Sequence, residues 1–243
     1  MHELGRTGRE TPFRNLQAYV LEELGRLVVA GRVPPGQPLP TENELAEVFG
    51  VSKTVIREAT RGLAAKGLVV SRPRSGTRVR PRAEWHLLDP DVLAWQLATD
   101  VDPNLLRDFD EFRLAVEPLA VRLAAERAST GDVRSVREAL ERMRTGLNDP
   151  ASYFDADLEL HVGLLVATQN RMLAGLGEAI RSALRVRHAR VGFQVSDLGE
   201  SFPYHERVVE AVEQGQPDLA VAAMVDLLDL TRRDDHRATA PTI

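Results

Sequence analysis

Apolar residues recur at spacings of three and four in two short bursts before residue 70 and almost without interruption after residue 103. In the first burst Leu45, Val48 and Phe49 form one face; in the second Val55, Ile56, Ala59, Leu63 and Ala64 do. Each face fits a short amphipathic helix. Between them Gly50 suits the left-handed residue that ends a helix, and Ser52 can cap the next. Thr41, three residues before Glu44, predicts a capping box at the first helix start. Beyond the second helix, Gly67, the run Leu68–Ser71 and Arg72-Pro-Arg-Ser-Gly-Thr-Arg78 read as a hairpin with a basic tip. From residue 104 the pattern predicts helices over roughly 104–129, 132–147, 151–168, 171–193, 202–214 and 217–232, with no strand pattern. The fold class expected is mainly α: an N-terminal winged helix-turn-helix and a C-terminal all-helical antiparallel bundle.

Charge sharpens the division. Residues 1–82 hold 14 Lys plus Arg against 8 Asp plus Glu, whereas residues 83–243 hold 17 against 28. A basic N-terminal part can approach phosphates while an acidic remainder keeps away from them. On the second helix Lys53, Thr54, Arg57 and Arg61 lie opposite the apolar face, and the first turn of a recognition helix is where base edges are read. Arg72 and Arg74 at the hairpin tip suit phosphate or minor-groove contact. Helix, turn and helix with an intervening Gly also occur in ordinary bundles, but here cap, turn, basic face and wing agree with one another.

The stretch PPGQPLPTENELAEVFGVSKTVIREATRGLAAKGLV resembles the DNA-binding domain of the GntR family of bacterial transcription regulators, over roughly residues 13–80. That resemblance implies contact with operator DNA through Asn43, Ser52, Lys53, Thr54, Arg57, Arg74 and Gly76. Asn43 and Lys53 stand where many relatives carry arginine. Residues 1–12 are expected to be disordered, 81–102 to form a linker with one short helix after Asp89-Pro90, and 103–234 to form the effector domain, with 235–243 a disordered tail. No apolar run approaches the roughly 18 residues of a membrane span, so a soluble, cytoplasmic protein is expected. The absence of cysteine excludes disulfides and thiolate chemistry.

Within the bundle pattern, Asp157 and His161 share a helical face, and His205 lies on a later helix. Two histidines and a carboxylate can hold a divalent metal, although an Asp and a His four apart also pair simply on a helix surface. Arg113 sits among apolar neighbours, where a guanidinium could grip a carboxylate or pair with Glu117 one turn on. Arg181, Arg185 and His188 share a stripe that could reach hydroxyl groups or face solvent; Asn170 can cap the helix that follows it or lie near a cavity wall.

FRLAVEPLAVRLAAERAS, the Asp157–Asn170 stretch and Tyr204-His205-Glu206 together resemble the all-helical effector domain called FCD, over roughly residues 105–232. The resemblance implies a metal site, zinc foremost, with Asp157, His161 and His205 as ligands, and an arginine, Arg113, that receives an acidic effector. The family's fourth ligand, a histidine of the last helix, is replaced by Leu227, and Asp226 beside it faces about 100° away. AEWHLLDPDVLAWQLATDVDPNLL with VEPLAVRLAAERA is similar to repressors of galactonate and related sugar-acid catabolism. A homodimeric repressor released from its operator by a sugar acid is therefore the leading expectation. A metal-responsive regulator, and behind it a metal-dependent enzyme built on Asp157, His161 and His205, are the alternatives.

Overall fold

The computed structural model describes residues 16–72, 76–99, 104–191 and 195–238. The chain divides into two compact units, residues 1–102 and 103–243. The expected disorder of residues 1–12 and the tip residue Arg74 lie outside the described residues.

The first unit holds α1 (Leu16–Val29), α2 (Glu42–Phe49), α3 (Lys53–Ala65), strands β1 (Val69–Arg72) and β2 (Gly76–Val79), and α4 (Pro90–Leu97). The capping box forms: Thr41 Oγ1 accepts from Glu44 N at 3.3 Å, and Glu44 Oε2 accepts from Thr41 N at 2.8 Å. Gly50 ends α2 at φ 64°, and Ser52 Oγ accepts from Val55 N to open α3. Val20, Leu24 and Val28 of α1 then meet Leu45, Ile56, Ala59 and Leu63, with Leu68, Val69 and Val79 beneath the hairpin. Two positions of the apolar pattern fall outside this core: Val48 is 43% exposed and Ala64 is exposed. An eight-residue helix has length for one buried row, and Leu45 takes it, while Phe49 packs edge-on to Tyr19.

β1 pairs antiparallel with β2, Arg72 opposite Gly76. Pro38 bridges Arg78 on the far side, and Arg78 Nη1 donates to Gly36 O, so this arginine belongs to the scaffold of the wing.

The short helix expected in a linker belongs instead to the first unit. Trp95 of α4 lies flat on Gly25 of α1, where any Cβ would come within 2.2 Å of the ring. Lys66 Nζ, at the end of α3, contacts Asp89 Oδ1 at 2.9 Å and Asp91 Oδ2 at 2.7 Å, and lies 5.9 Å from the Trp95 ring centroid. The N-cap of α4 is thereby tied to the C-terminus of α3.

The second unit contains α5 (Leu105–Arg127), α6 (Thr130–Thr145), α7 (Pro150–Ala167), α8 (Arg171–Ala174), α9 (Gly177–Val191), α10 (Val195–Glu213) and α11 (Pro217–Ala238). Val121, Val136, Leu140, Met143, Leu160, Leu164, Val208, Met224 and Leu228 form its core. The single helix expected over 171–193 is broken: Asn170 caps the four-residue α8, and a turn at Gly175 and Leu176 separates it from α9, which starts at Gly177. α10 begins seven residues before the predicted 202, and α11 runs through Ala238, into the segment expected to be a disordered tail. No described helix is long and apolar enough to cross a membrane.

Candidate functional site

On the first unit Asn43, Ser52, Lys53, Thr54 and Arg57 are all exposed, and Arg72 stands at the end of β1. The cap at Ser52 opens α3 and leaves its first turn exposed. Ser52 Oγ is occupied by its cap, while Arg57 is drawn across to Glu42, 3.0 Å away. Gly76 takes φ 72°, a conformation that favours glycine at the wing tip.

The second unit holds a partly open cavity of about 40 Å³ lined by Arg113, Tyr153, Asp157, His161, Arg187, His188, His205 and Leu227, among others. Asp157 and His161, four apart on α7, face the same way, and His205 descends from α10. His205 Nδ1 lies 3.0 Å from Ser201 O, a contact that requires a ring N–H. Its Nε2 therefore faces Asp157 Oδ1, 2.8 Å away. His161 repeats the arrangement: Nδ1 is 2.7 Å from Glu117 Oε2, while Nε2 is 3.5 Å from the same Asp157 Oδ1. Both rings thus point an inner nitrogen at one buried carboxylate oxygen; His205 holds its outer nitrogen on Ser201 O, whereas His161 Nδ1 lies close to Glu117 Oε2 without a well-formed hydrogen bond. This is how metal-ligating histidines are oriented. Ligand atoms around a tetrahedral ion with bonds of about 2.0–2.1 Å lie about 3.4 Å apart, between the two distances found here. Asp157 Oδ1 is buried and receives no well-formed hydrogen bond. The donor set therefore fits zinc or a similar ion.

Charge in the cavity is tightly coupled. Burial alone would raise the Glu117 pKa, but Arg113 and His161 outweigh it and lower it to about 2. Burial would depress His161, yet Glu117 and Asp157 lift it to about 9. Asp157 is held well below the carboxylate range against its own desolvation, chiefly by His161 and then His205. His188 is pushed by burial down to about 4; it stacks on Phe154 with 4.2 Å between centroids and places Nε2 3.4 Å from Asp157 Oδ2.

Arg113 is in the cavity wall, but its Nε and Nη2 fork onto Glu117 at 2.5 and 3.3 Å. The intramolecular pair and the cavity position thus hold together, leaving Nη1 as the nitrogen not engaged by Glu117. Two of the candidate residues lie outside the cavity wall, and Asn170 takes the capping role that its sequence offered. Arg185 is exposed, and Asn170 spends its side chain on the N–H groups of Met172 and Leu173. The inward arginine of α9 is Arg187, 2% exposed, whose Nη2 donates to Thr231 O at 2.8 Å. Only helix phase separates it from Arg185; of the stripe Arg181, Arg185 and His188, the structure places His188 in the cavity wall. Leu227 closes the wall opposite, and Asp226 is outside, paired with Arg207.

Comparison with known proteins agrees with both units. Residues 16–79 match the bacterial regulatory proteins of the gntR family, and residues 108–230 match the FCD domain. The galactonate operon transcriptional repressor of Escherichia coli (strain K12) is 36% identical over 212 residues, 86% of this chain and 93% of that protein. The HTH-type transcriptional repressor NanR of Salmonella newport (strain SL254) is 31% identical over 228 residues, 91% of this chain and 86% of that protein. Among solved structures, Lar, which controls expression of the Listeria monocytogenes agr system, superposes with a TM-score of 0.65 at 20% identity, covering 93% of this chain and 99% of that one. Streptococcus agalactiae GntR aligns with a TM-score of 0.51 at 25% identity, covering 89% and 99%. With a helix-turn-helix whose first turn faces outward, a basic wing and a helical domain built around a buried Asp-His-His cluster, this chain belongs to the gntR family of bacterial regulatory proteins and carries an FCD domain.

Proposed function

We propose that this DNA-binding regulator is a cytoplasmic, homodimeric repressor released from its operator by a sugar acid of the galactonate type, bound beside a metal ion in the FCD cavity. The carrying observation is the convergence of the inner nitrogens of His161 and His205 on Asp157 Oδ1. Those three residues would hold the ion, which supplies a Lewis-acidic position for a carboxylate or hydroxyl. Arg113 offers its Nη1 edge to the same carboxylate, while Arg187 and neutral His188 line the space around it. The likeness to the galactonate operon repressor supports the effector class.

The cavity of about 40 Å³ has room for an ion and about one water, well below the roughly 300–1,000 Å³ of typical small-molecule sites. A sugar acid must therefore move the walls on entry. An effector that favours the opened arrangement shifts the population, and by linkage DNA affinity falls by the same factor. On DNA, Asn43, Lys53, Thr54 and Arg57 meet base edges while Arg72, Arg74 and the Gly76 backbone track the phosphates; two copies occupy paired half-sites.

The same small cavity favours a second reading, in which the ion itself is the signal. Binding of DNA from upstream of the gene, followed by anisotropy at fixed salt, separates the two. Release by galactonate from zinc-loaded protein, lost in His205→Ala with DNA affinity intact, supports the sugar-acid reading. Release by zinc alone, with no response to any acid, supports the metal reading. DNA binding that neither alters refutes both.

A further inference from the structure

One cation of the recognition helix is already gripped. Arg57 Nη2 donates to Glu42 Oε2 at 3.0 Å and Nε donates to Glu42 Oε1 at 3.4 Å. The two residues are 15 apart, so the packing of α2 against α3 creates the pair. The sites are about half exposed, and an isolated pair in such a place contributes little to folding. Its geometry is more informative. Nε and Nη2 form the side-on edge of the guanidinium, and using that edge leaves both hydrogens of Nη1 and one of Nη2 facing away from Glu42. One hydrogen of Nη1 and the remaining one of Nη2 form the end-on edge, a pair of parallel donors that reads guanine O6 and N7 in the major groove.

We propose that Glu42 is a specificity-determining positioning residue: it holds the side-on edge of Arg57 so that the end-on edge meets a guanine of the operator. This rests on Arg57 reading DNA, as proposed above. A carboxylate beside a DNA-facing surface opposes phosphate binding, and Glu42 also cancels the charge with which Arg57 would attract a backbone. The pair therefore adds orientation rather than attraction. Glu42 stays ionised there: the hydrogen bond from Arg57 lowers its pKa, and the charges of Lys53 and Arg61 act the same way. Its place in the first turn of α2 also favours a negative charge. The recognition arginine thus reaches DNA with its guanidinium already biased toward one orientation, and a base other than guanine gains nothing from that arrangement.

The test uses the full chain and its variants Glu42→Ala, Glu42→Gln, Arg57→Ala and the double Glu42→Ala/Arg57→Ala. Preferred sites are selected from a randomised duplex library, then affinities are measured on the selected site, on its single-base substitutions and on unrelated DNA across a salt series. Glu42→Ala is expected to lose about tenfold on the selected site and to flatten discrimination at one G·C pair, the pair that Arg57→Ala also flattens. Affinity for unrelated DNA stays equal or rises with a steeper salt slope, and the double variant discriminates no worse than Arg57→Ala. Glu42→Gln, which keeps the shape and one acceptor, falls between. Tighter binding by Glu42→Ala with discrimination intact overturns the proposal, because Glu42 would then be only a repelling charge. An Arg57→Ala variant that discriminates normally overturns the reading of Arg57 itself, and the proposal with it.

Discussion

Replacing Glu117 by Gln removes one charge from the cavity and should weaken zinc binding by about 10- to 100-fold. Glu117 accepts from Arg113 on one oxygen and faces both Arg113 and His161 with the other. A glutamine has the same shape but a single oxygen. If that oxygen turns to His161 Nδ1, the ring keeps its tautomer and loses only the basicity lent by a carboxylate, the milder end of the range. If it turns to Arg113, the amide NH₂ confronts Nδ1, the proton moves to Nε2, and the nitrogen needed by the ion is blocked. Ten- to hundredfold corresponds to about 1.4–2.7 kcal/mol. Folding suffers separately, because a buried pair that loses one partner costs about 3–5 kcal/mol. The lower end applies here, since Asp110 and Asp157 also lie near Arg113 and remain. The assay is competition for zinc against a chromophoric chelator at one pH, with helical circular dichroism confirming that the variant is folded. Tryptophan emission cannot serve for that check, because Trp85 and Trp95 both lie in the first unit. Should Glu117→Gln bind zinc within twofold of the parent while His161→Ala loses it, Glu117 does not orient the ligand and the account of the site fails.

Three further outcomes are expected. Leu227→His should tighten zinc binding at least tenfold and blunt release by acid, since a fourth protein ligand fills the position left open; unchanged affinity in the chelator assay would place Leu227 away from the ion. Gly25→Ala, which in an exposed helix would stabilise by about 1 kcal/mol, should instead destabilise the first unit by about 1–3 kcal/mol by driving a methyl into Trp95. In a Trp95→Ala background the sign should reverse, as read by urea unfolding followed at Trp85, and a penalty that persists there would refute the packing argument. Thr41→Ala should cost about 1 kcal/mol through the lost capping box, with a matching loss in the same unfolding assay and no change in zinc affinity.

What could be read from the linear sequence shares one property: its cause is local. The capping box at Thr41, the turn at Gly50, the outward face of Lys53, Thr54 and Arg57, and the shared face of Asp157 and His161 depend on neighbours within one or two helical turns. Period and cap chemistry therefore suffice to predict them. The failures also had identifiable local causes. Val48 kept the period but lay on an eight-residue helix, Ala64 kept it at the exposed last turn of α3, and the break at Gly175 fell inside an apolar pattern that runs across it.

Tertiary structure decided everything that depends on which helix lies against which. Arg185 and Arg187 are indistinguishable by composition, and only the packing of α9 makes the second one inward. Glu117 could be paired with Arg113 from spacing alone, but its contact with His161 exists because α5 lies beside α7. Likewise the tie from Lys66 to Asp89, the seat of Trp95 on Gly25 and the grip of Glu42 on Arg57 join residues 15 to 70 positions apart. A periodic sequence specifies the face of each helix, whereas the choice of partner and its rotation comes from burying all of those faces at once.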